Sequence, residues 1–110
     1  MTTILPEALT AFFRAKNYHD VNAMLETFTP DAVVHDEGES RELRGVEQIK
    51  AWLEGTVAAY KLSVEVTGAV EQEGEIVVTT LVSGDFPGSP IEFYYHTRLK
   101  DGKIAEMAIR

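Results

Sequence analysis

DVNAMLETFTPDAVVHDEG, residues 20–38, changes character halfway along its length. Its first half spaces Val21, Met24, Leu25 and Phe28 as one helical stripe behind Asp20, whose short carboxylate suits an N-cap. The turn TPDA then ends that helix and leads into AVVHD, residues 32–36, a short strand candidate. Alternation along the strand sets Val34 and Asp36 on one face and Val33, His35 and Glu37 on the other. Asp36 therefore follows an apolar residue toward the interior, and the charged run after it reads as a polar loop.

Working outward, PEALTAFFRAKN upstream opens with Pro6 and Glu7, good first-turn residues, and carries Leu9, Phe12 and Phe13 at helical spacing. Downstream, GVEQIKAWLEGTVAAY lines up Val46, Ile49, Trp52, Leu53 and Val57 on one face of a third helix. From Lys61 the period falls to two: Leu62, Val64 and Val66 alternate with Ser63, Glu65 and Thr67, and EQEGE turns the chain. The run Ile76 to Val82 is apolar on both faces, as a central strand requires. SGDFPGSP connects it to IEFYYHTRLK, with Pro87 and Gly88 fitting a type II turn, and Asp101-Gly102 marks a hairpin into KIAEMAIR. Helices covering one long, curved antiparallel sheet is the α+β arrangement that these patterns allow.

A chain of 110 residues, 45% of them hydrophobic, builds one domain, and no repeat or linker divides residues 1–110. Ten basic residues against eighteen acidic ones give a formal charge of −8, so neither nucleic acid nor an anionic membrane surface is an expected partner. Cysteine is absent, which excludes disulfides and thiolate metal sites and fits a reducing interior. The N-terminal MTTILPEALTAFF lacks a basic segment followed by a long apolar one, and no apolar run reaches the roughly 18 residues of a membrane span, so a cytoplasmic protein is expected. HDEGES lacks the oxygen spacing of a calcium loop, and no His-x-x-x-His, glycine-rich nucleotide fingerprint or nucleophile elbow occurs. No metal site and no cofactor are expected.

The order helix, helix, short strand, helix, four-strand meander resembles the nuclear transport factor 2-like superfamily, and within it the SnoaL-like and ketosteroid isomerase-like proteins. The resemblance runs without a gap from Asp20 to Leu53, through RGVEQIKAWL, and returns in the closing DGKIAEM. It implies a cone in which three N-terminal helices pack on a curved, mainly antiparallel sheet around a small-molecule pocket, commonly as a homodimer through the outer sheet face. It also places Asp36 where the isomerases keep their carboxylate base. Held against apolar walls, such a carboxylate is destabilised as an anion, which makes it a better base near neutral pH. The departures are as informative. Phe12 stands at the position of the isomerases' first-helix tyrosine, Leu53 replaces a second tyrosine, and no acid falls at the sheet position near Tyr94 or Tyr95. Those changes argue against steroid isomerisation.

Two registers of the last hairpin are open. With Asp101 and Gly102 as the two central turn residues, Lys100 faces Lys103, His96 faces Met107 and Tyr94 faces Ile109, so His96 and Tyr94 join Asp36 as candidate catalytic groups. One further turn residue would instead bring Tyr95 inside and send His96 to the outer face. The first register is adopted, with Phe12, Val34, Trp52, Met107 and Ile109 as pocket walls. His35 is expected outside, Arg44 beside Asp36 or Glu42, and Tyr18 and Tyr60 at the cone mouth. The reading is a cofactor-independent lyase, isomerase or polyketide cyclase-like protein that transfers a proton on a small apolar substrate. A noncatalytic ligand-binding or interaction module of the same fold is the alternative.

Overall fold

The computed structural model describes residues 5–110. Helix α1 (Glu7–Asn17) begins after Pro6 and turns Leu9, Phe12, Phe13 and Lys16 to the interior. Helix α2 (Val21–Leu25) is capped by Asp20, whose carboxylate accepts the Ala23 N–H at 3.1 Å. Helix α3 (Gly45–Tyr60) buries Ile49, Trp52 and Leu53. No described helix is long and apolar enough to cross a membrane.

Six strands follow or interleave: β1 (Phe28–Asp36), β2 (Arg41–Arg44), β3 (Ser63–Gln72), β4 (Glu75–Ser83), β5 (Ile91–Lys100) and β6 (Lys103–Ile109). They form one sheet in the order β2-β1-β6-β5-β4-β3. The β1–β6 pair is parallel and every other pair antiparallel. The helices cover the face that carries Val34, Val64, Val78, Val82 and Met107, all buried. Asn17 fastens α1 to this sheet: its side chain donates to the Val64 carbonyl at 2.9 Å and accepts the Val64 N–H at 2.6 Å.

The N-terminal half departs from the sequence reading in two places. Helix α2 stops at Leu25, so Phe28 opens β1 instead of closing a helical stripe, and TPDA lies within the strand. Pro30 cannot donate to a ladder, and the pairing of β1 with β6 lapses between Phe28 and Val33. The second departure is β2, which pairs with β1 where a loop was expected. Its single buried side chain, Leu43, faces Val34 across the ladder, and one apolar residue among charges is too weak a signal of alternation.

The last hairpin decides which groups face inward. Its turn has the expected two residues, with Asp101 at φ 52° and Gly102 at φ 79°, and Lys100 pairs with Lys103. The ladder then shifts by one residue between Arg98 and Leu99, leaving Ala105 as the extra residue of a bulge. Beyond it Thr97 faces Met107, His96 faces Ala108 and Tyr95 faces Ile109. The expected pairing of His96 with Met107 and Tyr94 with Ile109 is thus overturned by a bulge, not by a longer turn. The cause is visible in β6, where Ile104, Met107 and Ile109 are all buried. Strict alternation cannot send both Ile104 and Met107 to one face, since three positions separate them.

Candidate active site

Registers across β1, β6 and β5 set Asp36 beside Ile109 and Ile109 beside Tyr95 on the helix-covered face. Two strand spacings, roughly 10 Å, separate the backbones of the carboxylate and the phenol. Between this row and the helices lies a cavity of about 260 Å³. Trp52, Val82, Phe86 and Phe93 give it apolar walls; Asp36, Tyr95, Thr56 and Lys16 are the polar residues among its lining; Gly38 and Glu39 belong to the acid-rich segment.

Asp36 is half-buried, and the Trp52 indole Nε1–H donates to its Oδ2 at 3.0 Å. This neutral donor fixes the orientation of the carboxylate, and Oδ1 accepts from no described residue. The rest of the acid-rich segment does face solvent. Glu42 pairs with Arg44 and His35, and Glu37 with Arg110. Such exposed pairs contribute little.

Tyr95 is buried against Phe13, ring centroids 5.1 Å apart. Burial first, and the Asp36 charge second, push its hydroxyl well above the usual phenol range, so it stays protonated and able to donate. Lys16 is 5% exposed, and its Nζ lies 5.9 Å from the centre of the Phe12 ring. Burial pushes its amine down to about 8, a fall that the Asp36 charge partly offsets.

Of the residues singled out from sequence, Asp36, Trp52 and Ile109 line the cavity. Phe12, Val34 and Met107 do not; each is fully buried in the packed core beneath it. His96 and Tyr94 are on the opposite face of the sheet, where His96 Nδ1 meets Glu75 at 3.1 Å and the Tyr94 hydroxyl donates to Glu92 at 2.5 Å. Neither joins Asp36, because the bulge reversed their side. Arg44 pairs with Glu42 rather than with Asp36. Tyr18 is exposed on another concavity, and the Tyr60 side chain lies outside the described residues.

Lys16 is the residue that sequence reading passed over. Its signal was present: it stands four positions after Phe12 and three after Phe13, on the apolar stripe of α1. A lysine there has a measurable consequence. The folded chain releases the Lys16 proton near pH 8, whereas an unfolded chain holds it to about 10.5. Between those values the unfolded state carries more protons, so stability rises with pH. Above about pH 10 the sign reverses, because the unfolded chain ionises Tyr95 there while the buried phenol keeps its proton. Lys16→Met should raise stability at pH 7 by up to about 3 kcal/mol and flatten the rise between pH 8 and 10. Urea unfolding across that range reads both effects, and a variant no more stable than the parent would contradict them.

Residues 9–107 match a family model described as the SnoaL-like domain. Among solved structures, SMa1630 from Sinorhizobium meliloti, described as a candidate polyketide cyclase, is 37% identical with a TM-score of 0.90, over 96% of this chain and 95% of that one. A protein with a ketosteroid isomerase-like fold from Catenulispora acidiphila, solved with trimethylamine, is 22% identical with a TM-score of 0.85, over 97% and 86% of the two chains. RV0760c from Mycobacterium tuberculosis is 22% identical with a TM-score of 0.82, over 99% and 92%. The two more distant likenesses establish the fold alone. A comparison with curated proteins finds no match.

Proposed function

We propose that this chain, which belongs to the SnoaL-like domain family, binds a small, mainly apolar organic molecule in its cone and moves a proton on it without a cofactor. One observation carries the reading: Asp36, Tyr95 and Lys16, which carry a carboxylate, a phenol and an amine, line a single cavity with apolar walls. Asp36 is the group suited to take an acidic C–H proton, since its orientation is fixed by Trp52 and its second oxygen meets no donor among the described residues. Tyr95 is suited to donate toward a developing oxyanion. The reaction class is isomerisation, cyclisation or elimination. A geometry-first assay needs no natural substrate. In D2O the protein should catalyse deuterium exchange beside the carbonyl of 2-indanone, followed by NMR, with Trp52 fluorescence reporting occupancy of the cavity. Occupancy without exchange would remove the catalytic reading.

The outer sheet face leaves Val70, Leu81 and Tyr94 exposed, and we place a second copy of the chain there. Light scattering should return twice the chain mass; a monomer at micromolar concentration would refute the dimer.

A further inference from the structure

We propose that Lys16 captures carbonyl compounds: its amine condenses with an aldehyde or ketone group of a small apolar molecule held in the cavity, forming an imine. This deepens the reading above and rests on that cavity holding an apolar carbonyl compound. Three features of the site support it.

First, Lys16 is nearly fully buried yet makes no hydrogen bond or ion pair with any described residue; its one organised contact is the distant Phe12 ring. An ammonium has three protons to place, so a buried position where no described residue accepts a hydrogen bond from it disfavours the charged form and favours the free amine, which is the nucleophile. The lowered proton affinity of the group agrees with that geometry. Second, Lys16 lines the same cavity as Asp36 and Tyr95, and the Asp36 charge acts on its amine. Third, the other lysines, Lys50, Lys61, Lys100 and Lys103, are all exposed. A lysine kept only for solubility or surface pairing would be placed with them.

The step balances within these groups. The Nζ lone pair adds to the carbonyl carbon as the C–O π electrons move to oxygen, where Tyr95 donates a hydrogen bond; Asp36 takes one proton from the nitrogen of the adduct and hands it to that oxygen, giving the carbinolamine. Asp36 then takes the remaining N–H proton of the carbinolamine and gives it to the hydroxyl, which leaves as water as the C=N bond forms; Asp36 ends as the carboxylate, and the imine nitrogen can take a proton from solvent. Amine and carbonyl compound become imine and water, with no oxidant or reductant. A protonated imine withdraws electrons more strongly than a carbonyl, so a C–H beside it becomes acidic enough for Asp36 to remove.

The test is reductive trapping. The full chain is incubated at pH 7.5 with benzaldehyde and sodium cyanoborohydride, and each lysine is read by peptide mass mapping. Lys16 should gain a benzyl group at least about tenfold faster than any of the four exposed lysines, the direction expected when more of its amine is unprotonated. Lys16→Arg, with thermal unfolding confirming that it is folded, should lose the fast label and keep the slow ones. Equal rates at all five lysines would overturn the inference, as would fast labelling that persists in Lys16→Arg. Benzaldehyde has no C–H of the kind Asp36 would remove, so the two readings separate. Trapping without exchange on 2-indanone refutes the base role alone, and exchange without trapping refutes Lys16 capture alone.

Discussion

Asp36→Asn should slow deuterium exchange on 2-indanone by about 10²- to 10⁴-fold, the usual contribution of a positioned general base. Asparagine keeps the shape of the side chain and an oxygen for the Trp52 indole N–H, which meets Asp36 Oδ2 at 3.0 Å in the parent. The cavity and its apolar wall are therefore retained, and ligand should still alter Trp52 fluorescence. What disappears is the anionic oxygen that takes the proton. Loss of exchange with binding intact assigns an interaction made in the transition state and not in the ground state. Unchanged exchange with binding intact would instead select a noncatalytic ligand-binding module. Loss of both would mean that the carboxylate organises the cavity, and the base assignment would then have no support.

Phe12→Ala should cost about 3–5 kcal/mol of stability, which is the range for removing a fully buried phenylalanine. Phe12 has no exposed surface and meets three rings edge-on: Phe13 at 5.2 Å, Phe28 at 5.6 Å and Tyr95 at 6.4 Å between centroids. These contacts tie α1 to the start of β1 and to the middle of β5, so the gap left by alanine has rigid walls on three sides. A marginal domain has on the order of 5–15 kcal/mol in hand, and urea unfolding should show the midpoint falling steeply with little change in slope. A loss below about 1 kcal/mol would mean that Phe12 borders free space, as its expected place on the pocket wall implied. The variant also bears on chemistry, because the Tyr95 ring packs edge-on against Phe12 and Phe13 and would lose one of those two supports.

Local pattern was enough for the class of the fold. The stripe Leu9, Phe12 and Phe13, the Asp20 cap, the face containing Ile49, Trp52 and Leu53, and the Asp-Gly turn each depend on neighbours within a few residues, and each formed as its spacing implies. Alternation likewise placed Val34 and Asp36 on the inner face. The residues that accompany Asp36 were a different matter. Strand side chains repeat every two residues, so one extra residue at Ala105 turned Tyr94 and His96 outward and brought Tyr95 in. Nothing in the turn itself recorded that bulge; it answers to the need to bury Ile104 and Met107 together.

Lys16 shows the same limit from the helical side. Its spacing with Phe12 and Phe13 put it on an apolar stripe, but a long side chain on a stripe commonly carries its charge out to water. Whether it stays inside depends on what closes over it, and that is set by α3 and the sheet. The sequence by itself determined the elements other than β2, their order and the inward strand face of Asp36. Tertiary structure alone decided which amine and which phenol share its cavity, because those meetings depend on ladder register and helix packing across some 80 residues of chain, between Lys16 and Tyr95.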